Sequence, residues 1–131
     1  MDTNPENLSI AVIDDERAVR TSLTRLLRSS GIHVDAFASG SEFVERLQAG
    51  SWQVVILDIH IPGLTGFEVL KRVRDERPEL AVIMITGYEG SDAKRRAYEA
   101  GANGFLLKPF GFTELLDVVR ALPSPCTEAH P

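Results

Sequence analysis

Short, unbroken apolar runs alternate along this chain with longer segments in which apolar residues return every three or four positions. The run from Leu8 to Ile13 predicts a buried strand closing on Asp14 and Asp15. From Glu16 to Ser30, Val19, Leu23, Leu26 and Leu27 share one helical face, and Gly31 suits a left-handed stop. A second strand is predicted over His33 to Phe37. Ser39 and Glu42 then have capping-box spacing and open a helix with Phe43, Val44 and Leu47 inward and Gly50 as its stop. The run Val54-Val55-Ile56-Leu57 is apolar without interruption, which predicts a strand covered on both faces and ending on Asp58.

Thr65 and Glu68 repeat the capping signal and start a helix with Phe67, Leu70 and Val73 inward, closed by Pro78. Ala81 to Ile85 is the fourth predicted strand, running into Thr86 and Gly87. Ser91 is placed to cap a helix reaching Ala100, with Gly101 as its stop. Gly104 to Leu107 is the last strand, followed by Lys108-Pro109. Thr113 is placed to cap a final helix carrying Leu115, Leu116, Val119 and Leu122, before Pro123 and Pro125.

Strict alternation of five strands and five helices predicts an α/β fold of parallel βαβ units with right-handed crossovers. The expected organisation is one doubly wound domain over residues 8–122, a flexible N-terminus at 1–7 and a disordered tail at 123–131. The fourth helix stands apart. Its inner face is Ala93, Ala97 and Ala100, beside Lys94, Arg95, Arg96 and Glu99. At about 25 cal/mol per Å² such small residues contribute much less than a leucine face, so this element is predicted to move easily.

Composition narrows the function. Apolar residues are 44% and charged residues 25% of 131, ordinary for a soluble globular chain, so disorder is expected only at the ends. The net charge of -5 argues against direct nucleic-acid binding. Cys126 is the single cysteine, which excludes an internal disulfide framework. The polar start Met-Asp-Thr-Asn-Pro-Glu-Asn does not have the form of a signal peptide, and no apolar run approaches the roughly 20 residues needed to span a bilayer. A cytoplasmic location and no membrane partner are expected.

Ligands of open α/β sheets sit beyond the carboxyl ends of the strands. The residues there are Asp14 and Asp15, Asp58, Thr86 and Lys108. Each alone has an ordinary explanation, as a helix-dipole partner or a turn residue. Together, at four of five strand ends, they fit one task. Crowded carboxylates repel unless a cation relieves them. Mg²⁺ takes one or two protein carboxylates and completes its shell with water and phosphate oxygens, while an ammonium and a hydroxyl suit the remaining phosphoryl oxygens. Phosphoryl transfer needs little beyond such positioning and neutralisation.

Asp14-Asp15, Asp58 with Pro62-Gly63 and Gly66, Thr86-Gly87 and Lys108-Pro109 together resemble the response-regulator receiver domain of two-component signalling. The resemblance covers about Leu8 to Leu122 and implies a flavodoxin-like five-stranded sheet of order 2-1-3-4-5. It implies that Asp58 is the phosphoacceptor, taking phosphate from the phosphohistidine of a histidine kinase or phosphotransfer protein. Implied too are Mg²⁺, with Mn²⁺ as an alternative, on Asp15 and Asp58 directly, on Asp14 largely through water, and on the backbone carbonyl of His60. Thr86 and Lys108 would bind the phosphoryl group, and the Lys108–Pro109 bond would be cis. Thr86 and Phe105 would form the switch, Phe105 standing where many members have tyrosine.

His60 and Tyr88 flank the expected site, and their bulk is expected to modulate phosphoryl lifetime by shielding it from water. His33 and His130 carry no expected role. The signal would leave through the face made by the fourth helix, fifth strand and fifth helix, including Lys94, Arg95, Tyr98 and Phe105, towards an output domain or protein. The protein would be a monomer or a phosphorylation-linked dimer, and no enzyme beyond its own phosphotransfer and dephosphorylation. An alternative of another class is a Mg²⁺-dependent aspartate-nucleophile phosphatase of haloacid dehalogenase type. Such enzymes usually place an acid–base carboxylate two residues after the nucleophile, where this chain has His60. A flavodoxin-like binder is disfavoured because no Ser/Thr/Gly-rich phosphate loop follows the first strand.

Overall fold

The structure, a computed structural model, describes residues 8–87 and 92–122. The expected elements appear in the expected order. They are β1 (Ser9–Ile13), α1 (Arg17–Ser29), β2 (His33–Phe37), α2 (Gly40–Glu45), β3 (Val54–Asp58), α3 (Gly66–Glu76), β4 (Ala81–Thr86), α4 (Ala93–Glu99), β5 (Gly104–Leu107) and α5 (Phe112–Ala121). All pairings are parallel, and the sheet order is β2-β1-β3-β4-β5. The third strand is covered on both faces, as expected, because its alternate residues feed two cores. Val55 and Leu57 of β3 pack with Phe43, Val69, Leu70 and Ala97 on one face. Val54 and Ile56 pack with Leu23, Leu27, Leu115 and Val119 on the other.

Local chemistry sets the boundaries. Thr65 accepts from the Glu68 amide at 3.2 Å while Glu68 accepts from the Thr65 amide at 2.8 Å, the full capping box expected at the start of α3. At the start of α2, Ser39 accepts from the Glu42 amide at 3.2 Å. That helix ends at Glu45, short of the expected Gly50, because Arg46 and Leu47 donate to Phe43 and Val44 and tighten the chain into turns. The last helix starts at Phe112, ahead of the expected Thr113 cap, with the Gly111 amide donating to Glu114 at 3.4 Å. Ser91, expected to cap α4, and Cys126 and His130 of the tail lie outside the described residues.

Gly66 allows α3 to begin directly under the end of β3. A Cβ there would stand 2.6 Å from the carbonyl oxygen of Asp58 and 2.6 Å from Cα of Ile59. The small fourth helix is held largely by polar ties. Only Ala97 of its residues is buried, and the Arg96 guanidinium sits 4.7 Å from the centre of the Phe67 ring on α3. Beyond its end, Arg74 of α3 donates to the carbonyl of Gly101 at 3.0 and 2.8 Å and to Asn103 at 2.7 Å. His33 is on the exposed edge strand, 3.4 Å from Asp35.

Candidate functional site

The carboxyl ends of β1, β3, β4 and β5 converge on one small polar cluster. Asp14 follows β1 and is fully buried; Asp58 closes β3 and Thr86 closes β4, both buried. Lys108 follows β5, where its amide donates to the carbonyl of Thr86 at 2.8 Å. Its peptide bond to Pro109 is cis, as expected. From there the ammonium reaches Asp14 Oδ2 at 2.8 Å, Asp58 Oδ2 at 3.0 Å and Glu16 Oε1 at 3.0 Å. One cation therefore serves three carboxylates.

The backbone supplies part of the missing compensation. Asp14 Oδ1 accepts from the Glu16 amide at 2.9 Å, and Asp58 Oδ1 accepts from the His60 amide at 3.0 Å. Arg20 of α1 donates to the carbonyl oxygen of Asp14 at 2.9 Å, fixing the turn from β1 into α1. Burial pushes the Asp14 carboxyl above its ordinary value; bonds from Lys108 and the Glu16 amide oppose this, and neighbouring Asp58 adds to the rise. Burial alone would lower the Lys108 ammonium, but its bonds to Asp14, Asp58 and Glu16 outweigh that and raise it.

Three carboxylates around one ammonium remain under-compensated. Asp14 Oδ2 is buried and faces the ammonium at 2.8 Å, a single charge that it shares with two other carboxylates. Oxygens of Asp14, Glu16 and Asp58 all lie within 4.8 Å of one another. An all-oxygen donor set of this charge fits a hard divalent cation such as Mg²⁺.

The structure thus brings together Asp14, Asp58 and Lys108 among the expected residues, with Thr86 at the adjoining strand end. Asp15 is exposed and stands outside the carboxylate trio. Glu16 occupies the third place, a residue whose position in the sequence marks only the start of the first helix. Its acidic side chain directly after the pair was the one available signal. His60 is exposed, with its amide turned to Asp58. Phe105 is partly buried against the core that includes Ala97 and Ala102. Tyr88 lies outside the described residues.

A family model described as the response regulator receiver domain matches residues 10–120. The transcriptional regulatory protein FixJ of Azorhizobium caulinodans is 37% identical over 117 residues, covering 89% of this chain and 56% of FixJ. The DNA-binding transcriptional regulator NtrC of Escherichia coli strain K12 is 35% identical over 109 residues, 83% of this chain and 23% of NtrC. This chain therefore spans between about a quarter and about half of those relatives. Among solved structures, Vibrio cholerae chemotaxis protein CheY4 superposes with a TM-score of 0.82 at 28% identity, covering 88% of this chain and 98% of that one. The BeF3-activated DrrB receiver domain superposes with a TM-score of 0.78 at 30% identity, covering 86% and 93%.

Proposed function

The chain belongs to the response-regulator receiver domain family of two-component signalling, and on that premise we propose that Asp58 is its phosphoacceptor. The observation that carries this reading is the Lys108 ammonium lying 3.0 Å from Asp58 Oδ2 and 2.8 Å from Asp14 Oδ2. A carboxylate oxygen of Asp58 attacks the phosphorus of a phosphohistidine. The new P–O bond forms as the P–N bond breaks, and the departing imidazole takes up a proton. Asp14, Asp58, Asp15 and the His60 carbonyl are the proposed holders of Mg²⁺ or Mn²⁺, with Glu16 beside them. When bound, the divalent ion neutralises charge on the transferring phosphoryl oxygens.

The residues of the chain supply the rest. Lys108 gives up part of its ion pairing with Asp14 and Asp58 to meet the incoming phosphoryl group, and the Thr86 hydroxyl donates to it. His60 and Tyr88 are proposed to limit access of water to the acyl phosphate. Thr86 and Phe105 respond together, and the face of α4, β5 and α5 changes its partner. Tyr98 and Leu107 are already exposed there, at 45% and 41%, large apolar side chains available to an output partner or a second copy.

A docking place for the donor adjoins the site. A groove of about 550 Å³ is lined by Val19, Leu23, Leu26, Phe110 and Phe112, together with Glu16 and Lys108 of the polar cluster. An apolar helix carrying the phosphohistidine fits this continuity. The family assignment gives no support to the haloacid dehalogenase alternative; the proposed role is that of a phosphoacceptor without turnover of other phosphate esters. Among the described residues no helix is long and apolar enough to cross a membrane. The test is incubation with phosphoramidate and Mg²⁺ followed by intact mass. Native protein should gain one phosphoryl group and Asp58→Asn none; an unmodified native chain would refute the reading.

A further inference from the structure

Helix α1 carries a second charged feature, on a different side from the apolar groove. Arg17, Arg20, Arg25 and Arg28, with Thr21 and Thr24, line an open groove of about 710 Å³ between this helix and the edge strand β2. From Arg17 to Val34 the chain contains no acidic residue, although the whole protein carries -5. Arg17, Thr21, Thr24 and Arg28 recur at helical spacing and form a donor stripe about 16 Å long.

Elsewhere among the described residues three guanidiniums are paired with carboxylates. Arg72 pairs with Glu76, Arg77 with Glu79, and Arg95 with Asp92 and Glu99. None of the four α1 guanidiniums meets a carboxylate among the described residues. Two are held in place by neutral acceptors: Arg20 donates to the Asp14 carbonyl at 2.9 Å and Arg28 to the Val34 carbonyl at 2.9 Å. Their positive charge remains uncompensated and preorganised.

We propose that this side of α1 docks an acidic helical segment of a partner protein. Carboxylates at matching helical spacing would meet the guanidinium forks and threonine hydroxyls. An extended strand adding to β2 fits less well, because Arg28 already occupies the outward carbonyl of Val34. A long polyanion such as nucleic acid or an anionic membrane fits less well too. The stripe is short, has no aromatic side chain for stacking, and ends at the acidic cluster of Asp14, Asp15 and Glu16.

Arg17 and Arg25 have no internal hydrogen bond among the described residues, so the double variant Arg17→Glu/Arg25→Glu tests the charge without breaking a tether. The probe is a fluorescein-labelled helical peptide with glutamates at spacings of four, three and four, followed by anisotropy at about 0.15 M salt. Saturable binding is expected, weakened about tenfold or more in the variant. A lysine version of the peptide should bind the variant and not the native protein. Unchanged thermal unfolding and unchanged phosphoryl uptake by the variant separate this result from loss of fold. No binding of the acidic peptide, or equal binding by both proteins, would overturn the proposal. Tighter binding to duplex DNA or to phosphatidylglycerol vesicles would overturn it as well.

Discussion

Lys108 holds together a site that would otherwise repel itself. Its ammonium touches three carboxylates, two of them on buried aspartates. Replacing it in Lys108→Met leaves those charges facing one another, at a cost of about 1–3 kcal/mol at neutral pH, kept modest by the exposure of Glu16. Urea unfolding without divalent ions measures this, and a second change, Asp14→Asn, should recover part of the loss. Asp14 also gives the site a pH signature. Its folded pKa is raised, chiefly by burial, so the contribution of this group to stability is fully present below the ordinary carboxylate value and is lost as pH rises through the higher folded value. Without divalent ions, native protein should therefore lose stability across that window relative to Asp14→Asn. Equal slopes in urea midpoints against pH would contradict this assignment of strain. The sequence made Asp14, Asp58 and Lys108 readable because each stands at, or directly after, the carboxyl end of a strand. Glu16 was not readable in the same way, since an acid at the N-terminal end of a helix already has a reason to be there.

Among the elements, the short ones diverged most from expectation. The Thr65–Glu68 box was written in the sequence and formed as read, because two reciprocal bonds select a single start. At α2 the stop signal of Gly50 was outweighed by turns from Arg46 onward, and at α5 the Gly111–Glu114 contact displaced the cap offered by Thr113. The thin apolar face of α4 was legible from its alanines, although only Ala97 of them is buried and Ala100 is exposed. Its actual supports, Arg74 reaching Gly101 and Arg96 over Phe67, join residues far apart in sequence and could not be read from local pattern. Gly66 links element packing to chemistry. In Gly66→Ala the new methyl would press on Asp58 and Ile59 backbone atoms 2.6 Å away, for a loss of about 1–3 kcal/mol and slower phosphorylation. Thermal unfolding and the time course of phosphoryl uptake check both effects; normal uptake by a destabilised variant would separate α3 packing from the site.

Across the whole molecule, alternation alone predicted the parallel architecture, since a strand fed into both cores has no polar face to alternate. The strand order came with the resemblance and was then observed. This fold brings Asp14, Asp58 and Lys108 to one edge of the sheet, so the proposed binding of a divalent ion there would be thermodynamically linked to folding. Mg²⁺ at about 100 times its dissociation constant should stabilise the protein by about 2.7 kcal/mol, read as a rise in unfolding temperature that EDTA reverses and Asp58→Asn diminishes. The most direct measurement of the central claim is chemical mapping of the acyl phosphate. Protein treated with phosphoramidate and Mg²⁺ is reduced with borohydride, which converts an aspartyl phosphate to homoserine, and digested for peptide mass analysis. The account predicts homoserine at position 58, absent when EDTA is added first. Homoserine at position 14 or 15 instead, or a phosphate that borohydride leaves intact, would contradict it.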